Sequence, residues 1–222
     1  MSGPSSRQFA IFRIALGTYL AVHFLALIPY GGEVFSDRGA LADARLNFTY
    51  GIFPNLLEHF DSPAVVTAFL AILVILSLTF AAGFFRHIIA VLLWYGWACL
   101  FNRNNLISNP SIPYIGLLLL LTVCVPSGES LNRKQTNYSW HFPIMVYWTA
   151  WILMAAGYSF SGWMKLQSPS WIDGTALFHV LHNPLARPGC ARDFLLALPT
   201  SWLRFLTWGT LAAELLFLPL SL

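Results

Sequence analysis

From Ala64 to Phe85 the chain reads AVVTAFLAILVILSLTFAAGFF, without one charged side chain. About 20 such residues wound as an α-helix reach across roughly 30 Å, the hydrocarbon thickness of a bilayer. The remainder of the sequence says what surrounds this run. Only 9% of the residues are charged and 57% are hydrophobic, whereas an ordinary soluble domain is about 25% charged. Too little charge is left to cover a surface facing water, so an integral membrane protein is expected.

Apolar length places the other spans. Phe9–Tyr30 is long enough, and Ala64–Phe85 has its own start signal in Asp61-Ser62-Pro63, a capping serine followed by proline at the first helical position. Ile88–Phe101 and Pro113–Pro126 are apolar but only 14 residues each. Helices of that length cover about 21 Å, so they must extend into their flanks or sit in thinned bilayer. Pro143–Leu166 and Ser201–Leu222 complete the set. The expected fold is an all-α polytopic bundle of about six spans, one domain over residues 1–222, with ordered extracytoplasmic loops and a short amphipathic helix. The last run is still apolar at Leu222, which reads as a C-terminally incomplete chain, and the run from Phe9 is too long for a cleavable signal.

Two connections are too long to be simple turns. Gly31–Pro63 holds five of the nine acids beside Tyr50, Phe53 and Leu56. Gln167–Thr200 includes the amphipathic stretch Trp171–Leu181, opened by a capping box of Ser170 and Asp173. Loops of this length carry function or are disordered, and their aromatic content argues for ordered caps on one membrane face. Arg86 and the pair Arg133-Lys134 fall in short inner loops if the N-terminus is cytoplasmic, which sets the expected topology although Arg38, Arg45, Arg103, Lys165, Arg187, Arg192 and Arg204 then lie outside. The net charge of +3 is scattered, with no basic block suited to nucleic acid. Cys99, Cys124 and Cys190 share no metal-ligand spacing and read as packing thiols.

The stretch SGWMKLQSPSW, residues 161–171, carries the most chemistry. A helix from Ile144 onward has no charge until Lys165, which lies between Trp163 and Trp171. Counting back by fours and threes, Lys165 shares a face with Ser161, Tyr158, Met154, Trp151 and Tyr147, while Ile144, Trp148, Ile152 and Ala155 form the opposite, apolar face. A polar, aromatic stripe suits a cavity in a bundle. In the first reading Lys165 is an anchor that snorkels to the interface between belt tryptophans. In the second, partial burial disfavours the ammonium and leaves an amine able to accept a proton.

The motif GYSFSGWMKLQSPSWIDG resembles the corresponding segment of the vitamin K-dependent gamma-carboxylase family, with Gly162, Lys165, Leu166, Trp171 and Gly174 in order and one extra residue before the tryptophan. The resemblance continues through Phe12-Arg13, Ser36-Asp37-Arg38-Gly39, Arg86, Asn109–Gly116 and Glu214. Related bacterial modules are the horizontally transferred transmembrane (HTTM) domains, and the chain looks most like one of these. The resemblance implies Lys165 as the base that deprotonates reduced vitamin K or menaquinol, with oxygen and carbon dioxide as co-substrates and a peptide or small substrate modified. It implies a quinol pocket of Tyr158, Ser161, Trp163, Trp171, Asn109 and Ser111, and supporting polar groups at Arg13, Arg86, Asp173 and Glu214. It further implies a bacterial inner membrane, with Lys165 near the extracytoplasmic face. The family's histidine has no counterpart in Asn109-Pro110-Ser111-Ile112.

Other polar groups have plainer readings beside functional ones. Glu214 in an apolar run needs a partner such as Arg13 or a tyrosine hydroxyl, or else a catalytic role. His179 and His182 are spaced to bind metal but lack a third ligand, so no metal is expected. His23 reads as a satisfied core histidine. The leading expectation is a quinol-dependent, carboxylase-like membrane enzyme. The alternative is a non-catalytic module for maturation, export or immunity of a secreted peptide. A transporter would show paired repeat halves, and the sequence has no internal repeat.

Overall fold

A computed structural model describes residues 3–107, 111–131, 140–184 and 186–221. All regular structure among them is helical. Four helical segments, Ser6–Phe35, Pro63–Ala82, Ile144–Lys165 and Thr200–Ser221, are long and apolar enough to cross a membrane. The chain forms two compact units, Met1–Ala150 and Trp151–Leu222. Two of the six expected spans are shorter elements. Ile88–Phe101 lies within helix α4 (Arg86–Arg103), which has an arginine at each end, and Pro113–Pro126 corresponds to α5 (Ser111–Val123), 13 residues long.

The first unit begins with α1 (Ser6–Leu27), whose start is fixed by a true capping box between Ser5 and Gln8. A short helix α2 (Gly31–Phe35) follows, and α3 (Pro63–Ala82) begins with proline at its first position, as expected, although the Ser62 hydroxyl makes no cap bond. Helices α1 and α3 pack closely because Gly17 has no side chain: a Cβ there would lie 2.8 Å from that of Ala81. Leu16, Leu20 and Phe24 meet Val66, Leu70, Leu73 and Phe80 in a core that also takes Leu93, Trp97 and Leu100 of α4. Gly83, at φ +91°, ends α3 in the left-handed conformation that favours glycine, and Phe85 at φ +47° turns the chain straight into α4. The reversal lays α4 back along α3, with Gly96 against Leu73.

The helix ends are closed by arginines. The last carbonyls of an α-helix lack intrahelical donors, and in an apolar surround each must find one. Arg13 of α1 donates from Nη1 to Phe80 O (2.8 Å) and Ala81 O (2.5 Å) at the end of α3. Arg86 donates to Thr122 O and, at 2.6 Å, to Val125 O at the end of α5, with its guanidinium 5.2 Å from the Phe9 ring centroid. Both arginines converge on one carboxylate: Glu129 Oε1 lies 3.1 Å from Arg13 Nε and 3.0 Å from Arg86 Nε, with all three side chains at most 8% exposed. Arg86 is therefore a buried helix residue rather than a loop charge, and the partner of Arg13 is Glu129 rather than Glu214. Arg133 and Lys134 lie outside the described residues.

The connection Gly31–Pro63 is tied to α4 by polar side chains. Arg103, fully buried at the end of α4, donates to Leu41 O (2.7 Å) and Ala42 O (3.1 Å) and pairs with Asp61 Oδ2 at 3.1 Å. Asn47 donates to Asn102 O (2.9 Å) and Arg103 O (2.6 Å), Asn55 to Cys99 O (3.0 Å), and Asn104 to Val34 O (2.7 Å). Of the three cysteines only Cys99 is a buried packing thiol; Cys124 and Cys190 are exposed. His23 is not the satisfied core histidine expected: its ring lies 5.3 Å from that of Trp97, and Nε2 is buried without a hydrogen-bond partner among the described residues.

Removing Glu129 leaves two buried guanidiniums facing each other. Breaking a buried ion pair by deleting one partner costs about 3–5 kcal/mol. Glu129→Ala is expected to lower stability in detergent micelles by that order, read from thermal unfolding. Glu33→Ala, at an exposed carboxylate, is expected to change it by less than about 0.5 kcal/mol.

Candidate functional site

The candidate site belongs to the second unit, where the end of α6 (Ile144–Lys165) lies beside α10 (Thr200–Ser221). Their close approach follows from two residues. Gly162 is pressed on α10, and a Cβ there would lie 2.9 Å from Leu215 N and 3.1 Å from the Glu214 Cβ. Pro219 inside α10 has no N–H, which leaves the carbonyl four residues earlier, that of Leu215, without its helical donor. Ser159 of α6 supplies one: its hydroxyl is shared between Glu214 O (3.1 Å) and Leu215 O (3.2 Å), and it accepts from Leu218 N at 3.0 Å. The interior stripe of α6 in this unit is thus Ala155, Ser159 and Gly162, one position off the predicted Ser161 face; Ser161 is half-buried.

This packing brings Lys165, the last residue of α6, onto Glu214. Nζ lies 2.5 Å from Oε1, with the side chains 24% and 16% exposed. The ammonium also lies 4.5 Å from the Trp171 ring centroid, a cation–π distance. The second carboxylate oxygen, Glu214 Oε2, is buried and has no hydrogen-bond partner among the described residues. Tyr158 stacks on Phe217 with centroids 4.9 Å apart, and Trp151 Nε1 donates to Ser221 O at 3.0 Å. Trp163, by contrast, is 61% exposed.

Trp171 is held by the segment after Lys165. Helix α7 (Pro169–Ile172) has proline at its first turn, and Gly174 at φ +81° breaks the chain before α8 (Ala176–His182). The predicted capping box of Ser170 and Asp173 does not form. Ser170 lies inside α7, its hydroxyl 3.0 Å from that of Ser168, and the Asp173 carboxylate turns forward to accept from the Thr175 hydroxyl (2.6 Å) and N–H (2.9 Å). Those bonds, the hydroxyl's first, hold the exposed Asp173 carboxyl below the usual carboxylate range. Trp208 of α10 donates to Ile172 O at 3.1 Å and so closes the end of α7. The amphipathic stretch is therefore two short helices, not one, followed by α9 (Cys190–Leu196).

The remaining predicted residues are dispersed. Arg13 and Arg86 belong to the first unit and are occupied with Glu129. Asn109 lies outside the described residues, as does the Ser111 side chain. His182 has Nδ1 2.8 Å from Phe178 O, and among the described residues no group of three His, Cys, Asp or Glu is placed to hold a metal. Sequence reasoning missed Ser159, Phe217 and Trp208. The signal for Ser159 was present in Pro219, which inside an apolar helix demands a donor from elsewhere.

No family model matches the chain, and no curated protein or solved structure matches it.

Deleting one member of a desolvated pair leaves the other unsatisfied, whereas replacing both by apolar groups can be nearly neutral. Lys165→Met is expected to destabilise the protein by about 1–3 kcal/mol. In thermal unfolding in micelles, the double variant Lys165→Met, Glu214→Leu is expected to recover most of that loss. Additive losses would show that the two side chains are not coupled.

Proposed function

We infer that the protein is a membrane enzyme of the carboxylase-like kind, in which Lys165 and Glu214 together move a proton from a lipid-soluble quinol whose oxygenation is coupled to modification of a peptide or small substrate. The observation that carries this reading is the contact of the Lys165 ammonium with a carboxylate whose second oxygen has no hydrogen-bond partner among the described residues. A lysine in an ion pair already holds its proton. To act as a base it must first pass that proton on, and Glu214 is in place to receive it. The amine so exposed can take the proton of a bound hydroxyl, and Glu214 Oε2, which lacks a donor, suits the hydrogen bond of such a group.

Fit with a reduced vitamin K or menaquinol head rests on that orphaned oxygen and on the Trp171 ring beside it. When bound, the quinol would supply the reducing power and the reaction with oxygen, and carbon dioxide would be the second co-substrate. This chain's residues contribute binding and proton transfer: Trp171 holds the cation, Glu214 takes and returns its proton, and Ser159 fixes the α10 backbone that carries Glu214. The same reading includes a bacterial inner membrane, a cytoplasmic N-terminus and α4 and α5 as additional spans of the bundle.

A second reading has its own support. Lys165 is already engaged by Glu214 and Trp171, as an interhelical clamp would be. A non-catalytic module for maturation, export or immunity of a secreted peptide needs no more than that.

One substitution separates the two. Arginine keeps the charge, the ion pair and the aromatic contact, but a guanidinium stays protonated at any working pH. With purified protein, a reduced naphthoquinone, oxygen and labelled bicarbonate, the native chain is expected to form epoxide. Lys165→Arg is expected to lose at least about 100-fold of that rate, the scale of a general base, while folding normally. Epoxide formation unchanged in Lys165→Arg, or absent from the native protein, would favour the clamp.

A further inference from the structure

The connection between α2 and α3 does not stay at the helix ends. Its polar contacts descend along α4. Asn47 binds the carbonyls of Asn102 and Arg103, Asn55 binds Cys99 O, and Pro54 O accepts from the Tyr95 hydroxyl at 2.8 Å. The Phe53 ring rests against Trp94 and Tyr95, with centroids 6.4 and 5.9 Å apart. From Arg103 to Trp94 the segment follows α4 for about 13 Å, at 1.5 Å per residue. The neighbouring helix calibrates that depth. Gly96 packs on Leu73, halfway along the 20-residue span α3, so Tyr95 and its Pro54 partner lie near mid-span.

Two further observations agree with that depth. Among the segment's outward side chains, Phe48 and Ile52 are each 79% exposed and Leu56 is 41% exposed, large apolar groups that a water-facing loop would not present together. Part of the backbone meanwhile finds partners within the segment. The N–H groups of Tyr50, Ile52, Leu57, Glu58 and His59 find acceptors in Asn47 O, Thr49 O, Asn55 Oδ1, Asn55 O and Leu56 O. Irregular backbone at membrane depth requires internal partners of this kind, because hydrocarbon supplies none. Between the segment and Tyr95 lies a cavity of about 520 Å³.

We propose that residues 48–58 are a re-entrant segment that dips into the bilayer beside α4, and that its cavity is a site for an amphiphile drawn from the lipid. The acyl chain lies against Ile52, Phe53 and Leu56, and the polar head reaches Glu58 and His59. The bilayer is the partner that the depth selects, since both ends of the connection are tied to apolar helices that span it.

Depth is measurable with a nitroxide on a single cysteine. In a Cys124→Ser, Cys190→Ser background, with buried Cys99 retained, Ile52→Cys and Leu56→Cys are labelled separately. The protein is reconstituted in vesicles of phosphatidylethanolamine and phosphatidylglycerol, with labels at Ile75 on the exposed side of α3 and at Asp43 as references. Collision with oxygen over collision with a nickel chelate is expected to be high at Ile52, close to Ile75 and far from Asp43. A ratio at Ile52 and Leu56 equal to that at Asp43 would overturn the re-entrant segment. A phosphatidylethanolamine with a mid-chain diazirine is expected to cross-link to residues 50–59. Cross-linking confined to other helices would overturn the lipid site.

Discussion

One carboxylate, Glu129, holds two buried guanidiniums, Arg13 and Arg86, and each guanidinium in turn closes the carbonyl end of a different helix. Charges removed from water are tolerated only when paired and fully hydrogen-bonded. Here one set of charges serves the backbone as well, although Arg13 Nε, 3.1 Å from Glu129 Oε1, makes no hydrogen bond among the described residues. Helices α1, α3, α4 and α5 are tied at a common point, and the apolar packing of Gly17 on Ala81 and of the Leu16 to Phe80 core follows from the resulting register. At the far end of α4, Arg103 does the same for the connecting segment, ordering it through carbonyls and Asp61.

Against that background the Lys165–Glu214 pair differs in kind. Arg13, Arg86 and Arg103 all donate to backbone carbonyls, whereas Lys165 meets a side-chain carboxylate and an indole ring, and Glu214 retains an oxygen without a hydrogen-bond partner among the described residues. A group committed to helix carbonyls cannot leave without opening the fold. A lysine on a carboxylate can exchange its proton without moving a helix. Ser159 and Pro219 show how the position is prepared, since the hydroxyl that answers the proline also fixes the backbone of Glu214.

What was legible in the sequence were features with local causes. The apolar length of α1 and α3 and the proline opening α3 predicted those helices within a few residues. What was not legible depended on distant partners. Arg13 finds carbonyls 67 and 68 residues away, and nothing near Glu129 announces that it joins two arginines. Arg103 read as an outer charge because a sequence cannot show that a helix end needs its donors. The Ser170–Asp173 box failed because Gly174 takes positive φ and Thr175 offers Asp173 a nearer hydroxyl. At the candidate site, the sequence singled out Lys165, Trp171, Tyr158 and Glu214, but the pairing of Lys165 with Glu214 was not foreseen, since it turns on Gly162 and Ser159 rather than on the Ser161 stripe.

The central claim is that Glu214 exchanges a proton with Lys165 when a hydroxylated substrate is bound. Infrared difference spectroscopy on protein carrying carbon-13-labelled glutamate reads that event directly, because a protonated carboxyl has a carbonyl stretch that a carboxylate lacks. Adding a reduced naphthoquinone without oxygen is predicted to produce an isotope-shifted carboxylic acid band in the native protein and none in Glu214→Gln. Saturating quinol that produces no such band, or a band that persists in Glu214→Gln, would contradict the account.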